Sequence, residues 1–252
     1  MAQPHFGYFC WHDYVSPATA KGSAYYGELL GWKTWDMPLG DTTYTFLKAN
    51  DDDQSTFGGL EEADGGARSR WRSYVAVEDL DAMVARTAEL GGKVVQPPRE
   101  IPGIGRHALV ADPTGAVLAL YQGNEPRPAR EGMTEAMPCW MELLSQDAKG
   151  SVAFLTALLG WTTRTKQVDG GHDYTMLMQG DLGVGGVMQA PTKEIPSHWY
   201  PFFMTGDLAA AHERATRLGG TSCMPPTEIG DGMGSFAIVN DPNGAVFGLY
   251  AM

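Results

Sequence analysis

Two short motifs carry the side chains best suited to chemistry: Trp11-His12-Asp13 and Trp140-Met141-Glu142. Each sets an indole and an acid two residues apart, and in a strand such residues share a face. A carboxyl group below an indole in an enclosed cleft can accept a hydrogen bond from a ligand amine or hydroxyl. With its pKa raised by desolvation it can also serve as a general base. The indoles can wall a flat ligand or equally fill the core. The same acids could equally accept hydrogen bonds from backbone or from Tyr, Thr or Arg neighbours and merely shape the fold; residue type leaves both roles open. Tyr44 and Tyr174 stand at matching places in Tyr-Thr-Phe-Leu and Tyr-Thr-Met-Leu. They are the remaining candidate ligand contacts, with a core or rim position equally open.

Other reactive side chains form no convincing constellation. His12-Asp13 and His172-Asp173 are adjacent pairs, so in strand their side chains point to opposite faces. His12 is expected at a surface or domain boundary. The chain has three cysteines and no Cys-x-x-Cys, and Cys10 and Cys139 read as small core residues. Gly183-Val184-Gly185-Gly186 lacks the Lys-Ser/Thr and the helix that a phosphate loop needs, and reads as strand-end glycine. No Gly-x-Ser-x-Gly is present.

The elements that must position these residues occur twice. Asp112-Pro113-Thr114-Gly115-Ala116 returns as Asp241-Pro242-Asn243-Gly244-Ala245, an offset of 241 − 112 = 129. Leu29-Leu30-Gly31-Trp32 returns as Leu158-Leu159-Gly160-Trp161, and Cys10-Trp11 as Cys139-Trp140. The Pro- and Gly-containing stretch around Glu125 to Gly132 reads as a linker. The expected domains are residues 1–123 and 136–252, joined by 124–135. Each domain divides again. An aromatic-rich strand at Phe6–Tyr14 leads to Ser16-Pro17, which reads as a helix cap. The helix should end at Gly31, followed by strands near 32–35, 42–48 and 55–60. Asp79 should cap a second helix, and Asp112-Pro113-Thr114-Gly115 should turn the last hairpin. With Asp147 or a neighbour and Asp207 as later caps, the chain reads as α+β, four β-α-β-β-β modules in mixed curved sheets.

Composition narrows the partners. The formal net charge is −12, from 18 Lys+Arg and 30 Asp+Glu. That argues against a nucleic-acid backbone or an anionic membrane as partner. Neither a signal peptide nor a long apolar stretch is visible, so a cytoplasmic protein is expected. It would be a monomer with an internal pseudo-dimer, or a homodimer, acting on a small molecule.

The helix ends Tyr25-Tyr26-Gly27-Glu28-Leu29-Leu30-Gly31-Trp32 and Phe154-Leu155-Thr156-Ala157-Leu158-Leu159-Gly160-Trp161, with the two Asp-Pro-x-Gly-Ala hairpins, resemble the vicinal oxygen chelate superfamily. That group includes glyoxalase I, the bleomycin-resistance proteins, fosfomycin-resistance enzymes and extradiol dioxygenases. The resemblance covers nearly the whole chain and is nearest to tandem two-domain glyoxalase/bleomycin-resistance proteins. It implies clefts formed by paired modules and, in the enzymes, a divalent metal held by His, Gln or Glu on the first and last strands. Carried onto this chain, the ligand positions fall on Trp11 and Trp140, on Ala119 and Gly248, and near Arg72 and Tyr200. None suits a hard or borderline divalent ion.

The expected function is therefore small-molecule binding without the usual metal, with no cofactor. Trp11, Trp140, Tyr44 and Tyr174 would contact an aromatic or mixed polar–apolar ligand, and Asp13 or Glu142 would meet its cationic or hydroxyl group. The alternatives are a metal-dependent lyase, isomerase or dioxygenase of glyoxalase type, and a metal-free acid–base enzyme using Asp13 or Glu142.

Overall fold

The computed structural model describes residues 5–39, 42–125, 129, 134–168, 172–230 and 232–252. Much of the expected linker lies outside these residues. The first half runs β1 (Phe9–Ser16), α1 (Thr19–Leu30), β2 (Lys33–Leu39), β3 (Thr42–Lys48), β4 (Thr56–Glu62), then β5 (Arg70–Ala76), α2 (Leu80–Glu89), β6 (Lys93–Ile101), β7 (Gly105–Ala111) and β8 (Val117–Gly123). The second half repeats it: β9 (Pro138–Ser145), α3 (Ala148–Leu159), β10 (Thr162–Val168), β11 (His172–Gln179), β12 (Leu182–Gln189), β13 (His198–Met204), α4 (Leu208–Arg217), β14 (Thr221–Glu228), β15 (Ser235–Asn240) and β16 (Val246–Ala251). Strand order is β2-β3-β4-β1-β5-β8-β7-β6 in one eight-stranded sheet and β10-β11-β12-β9-β13-β16-β15-β14 in the other. Both are mixed sheets, as an α+β chain of four β-α-β-β-β modules requires.

Local chemistry explains the helix boundaries. Asp79, Asp147 and Asp207 each accept a backbone N–H of the first turn, at 2.9, 3.0 and 3.0 Å; a cap of this kind is worth about 1 kcal/mol. The Ser16-Pro17 cap does not form. Helix α1 starts at Thr19 with Ala18 at its N-cap. The Ser16 hydroxyl instead accepts the Ala18 N–H and meets the Ser69 hydroxyl, at 3.0 and 2.8 Å. Gly31 and Gly160 end their helices at φ 76° and 71°, a left-handed turn that only glycine adopts without strain. The tryptophans that follow turn inward. Trp32 donates its indole N–H to the Ala136 carbonyl and Trp161 to that of Gly7, each at 2.7 Å.

The chain forms two compact units, and each draws on both halves. One unit contains α2 and α3 with β6–β8 and β10–β12; the other contains α1 and α4 with β2–β4 and β14–β16. Each has its own core. Leu80, Leu120, Leu143, Phe154 and Leu155 meet in the first. Tyr26, Trp32, Phe203 and Phe247 meet in the second. The repeated Asp-Pro-x-Gly turns fasten the halves together inside these units. Asp112 accepts a hydrogen bond from Ser151 on α3. Asp241 accepts the Tyr14 and Tyr26 hydroxyls at 2.7 and 3.2 Å.

Candidate functional site

Strand alternation sorts each first strand into two faces. On β1, Tyr14 enters the core beside Tyr25 and Tyr26 of α1, so Trp11 and Asp13 face away from the helix. On β9, Met141 and Leu143 enter the core beside Phe154 and Leu155 of α3, leaving Trp140 and Glu142 on the other face. His12 is not at a surface. It shares a face of β1 with Tyr14 and is 5% exposed, with β4 paired alongside at Gly58. Burial also pushes the Cys10 and Cys139 thiols up to about 12, so neither is a thiolate nucleophile at neutral pH.

In the first half the three predicted residues converge. The Trp11 indole donates to Asp13 Oδ1 and to the Tyr44 hydroxyl, both at 3.0 Å, and Tyr44 itself donates to Asp13. Sequence reasoning missed what holds the other oxygen. Arg72 donates to Asp13 Oδ2 at 3.1 Å and binds Glu61 through both terminal nitrogens. Asp13 and Arg72 are 3% and 6% exposed. The acid is thus a buried, ion-paired carboxylate with both oxygens engaged.

In the second half Trp140, Glu142 and Tyr174 converge in the same way. Trp140 and Tyr174 donate to Glu142 Oε2 at 3.2 and 2.9 Å, and Trp140 also meets the Tyr174 hydroxyl at 3.0 Å. The cation is missing. Where the first half has Arg72 and Glu61, aligned strands place Tyr200 and Met188. No ion pair to Glu142 occurs among the described residues. Its carboxyl is 4% exposed, and Oε1 has no hydrogen-bond partner. Desolvation, opposed by the Tyr174 and Trp140 hydrogen bonds, pushes its pKa from 4.5 up to about 8. At neutral pH this group is mostly a neutral carboxylic acid, able to donate one hydrogen bond and accept another.

The glycine pairs have a role that the sequence did not disclose. A Cβ on Gly59 would overlap the Tyr44 hydroxyl, and one on Gly186 the Tyr174 hydroxyl. Each glycine opens the space through which a tyrosine crosses its neighbour strand to reach the acid. The cue was available: Gly-Gly recurs at matching places, well inside the strand rather than at its end.

A separate open cavity of about 510 Å³ lies on the α3 side of the second half, lined by Asp147, Lys149, Val152, Thr163, Thr165 and Asp173 among others. It includes none of the Trp140–Glu142–Tyr174 cluster.

Comparison with known proteins fits this architecture. Residues 12–121 match a glyoxalase-like domain, and residues 139–249 match the glyoxalase/bleomycin resistance protein/dioxygenase superfamily. The chain belongs to that superfamily, as two domains in tandem. It is 31% identical to CFP32 of Mycobacterium tuberculosis, provisionally named a glyoxylase, over 94% of this chain and 92% of that one. It is 28% identical to the anthracycline biosynthesis protein DnrV of Streptomyces peucetius, over 94% and 90%. Among solved structures, the Mn(II)-bound glyoxalase from Novosphingobium aromaticivorans superposes with a TM-score of 0.70 at 18% identity, covering 100% of this chain and 83% of that one. The 2,3-dioxygenase LapB from Pseudomonas sp. KL28 gives 0.67 at 16%, covering 97% and 92%. These last two likenesses concern the fold.

A metal such as the Mn(II) relative holds does not fit the residues at the expected ligand positions. Trp11 and Trp140 offer indole N–H donors that are already bonded to the acids. Ala119 and Gly248 offer no side-chain ligand. Among the described residues, no three His, Cys, Asp or Glu side chains gather into a group that could hold a metal ion.

Proposed function

We propose that this protein binds a small, ring-bearing organic molecule on the Trp140–Glu142–Tyr174 cluster, without recruiting a metal there. The observation that carries the reading is the unpartnered Glu142 Oε1. A buried polar oxygen left without a partner costs about 1–3 kcal/mol, and a ligand hydroxyl or carbonyl would recover it. Trp140, partly exposed beside the acid, supplies the apolar wall. The relatives named for anthracycline biosynthesis favour a ring-bearing ligand.

The first-half cluster would be structural. Its acid is neutralised by Arg72 and has both oxygens satisfied. The Glu142 pKa near 8 also suits proton transfer at neutral pH, so the bound molecule could exchange a proton with this carboxyl.

The test is calorimetric titration of phenols and aryl ketones into the native protein and four variants. Glu142→Gln, Tyr174→Phe and Trp140→Leu should each weaken binding roughly tenfold, about 1.4 kcal/mol. Trp11→Leu should leave affinity unchanged. Equal affinity in all of these proteins would refute the reading.

A further inference from the structure

Strand register places equivalent residues in matching rows across the two sheets. In the first half the row is Asp13 on β1, Gly59 on β4, Phe46 on β3 and Trp35 on β2. In the second half it is Glu142 on β9, Gly186 on β12, Met176 on β11 and Arg164 on β10. Two pairs further along, on the same face, Met37 lies opposite Tyr44, whereas Lys166 lies opposite Tyr174. Residues directly paired across strands share a face. The first row ends in an aromatic stack, Trp35 on Phe46 with centroids 4.4 Å apart and planes at 14°. The second ends in two cations on the face that holds Glu142.

We infer that the second half binds anionic ligands: a ring against Trp140 and Met176, a polar substituent on Glu142, and a carboxylate or phosphate on Arg164 with Lys166 beside it. This rests on the function proposed above and adds the ligand's charge. Glu142 and Arg164 are three strands apart, about 14 Å between backbones at the usual inter-strand spacing. With both side chains reaching inward, that leaves room for a single substituted ring. A guanidinium matches a carboxylate or phosphate through two parallel hydrogen bonds. The acid in this row does not compete for the cations, because it is mostly neutral at pH 7, whereas Asp13 is held by Arg72. Arg164 is exposed, and no ion pair engages it among the described residues. Two cations on this face stand out in a chain of net charge −12.

The alternative role for Arg164 and Lys166 is to protect an edge strand from pairing with other chains; that role would not discriminate between ligands. Benzoate, phenyl phosphate and benzyl alcohol, titrated calorimetrically into the full chain, separate the two. The expected result is about tenfold tighter binding of both anions than of the alcohol. The gap should narrow as salt rises and vanish in the Arg164→Gln/Lys166→Gln double variant. Equal affinities, or a gap that survives in the double variant, overturn the inference. The proposed function still stands in that case if Glu142→Gln and Tyr174→Phe weaken benzyl alcohol. If those two variants change nothing, or none of the three compounds binds, both proposals fall.

Discussion

Asp13 and Glu142 occupy the same place in the repeat and have opposite electrostatic fates. Asp13 is ion-paired with a buried arginine; Glu142 has no cation, and desolvation keeps it protonated. Arg72→Met would strand Asp13 as a buried charge and should cost about 3–5 kcal/mol in urea denaturation, with little effect on ligand affinity. Glu142→Gln should act differently. The folded carboxyl titrates near 8 and the unfolded one near 4.5. Its neutral form therefore favours folding fully below pH 4.5, and that contribution is lost as pH rises through 8. The native protein should lose up to about 1.4 kcal/mol per pH unit across this window relative to the Gln variant. Urea denaturation of both proteins at pH 5 and pH 8 checks this. Parallel pH profiles would show that Glu142 is not the buried acid described.

At the scale of elements, the acids work because strands β3 and β11 each send a tyrosine across a glycine. Gly186→Ala would push Tyr174 off Glu142, costing about 1–3 kcal/mol by overpacking and abolishing ligand binding. Gly59→Ala should cost as much and leave affinity intact, since it displaces Tyr44 from Asp13; calorimetry on both variants distinguishes the two halves. Much of this architecture was legible in the residues. The four modules, the left-handed glycines and three aspartate caps follow from local chemistry, and the Trp-x-acid pairs with their tyrosines follow from strand period and the repeat. What was not legible depends on tertiary approach. Arg72 is 59 residues from Asp13 in sequence, and nothing local marks it as that acid's partner. Ser16 lies two residues before the Ala18 N-cap, and its hydroxyl accepts the Ala18 N–H while meeting Ser69, 53 residues away.

At the scale of the whole molecule, neither half owns a core. Residues from both halves build each unit, and the Asp-Pro-x-Gly turns bond across the repeat. Residues 1–123 expressed alone should therefore lack a rigid tertiary fold, showing weak near-ultraviolet circular dichroism as a monomer; mixing with residues 136–252 should restore it. A well-folded monomer of 1–123 would contradict this. The shared cores also explain how one site could diverge. The fold depends on both halves, but a ligand needs only one acid, so Asp13 could be committed to structure while Glu142 stayed available.

The central claim is that Glu142 is a neutral carboxylic acid whose buried, unpartnered oxygen takes up a ligand. Carbon-13 NMR titration of its side-chain carboxyl, assigned by loss of the resonance in Glu142→Gln, tests this directly. A midpoint near 8 that moves when a binding compound is added is the predicted result. A midpoint below 5, indifferent to every compound that binds, would contradict it.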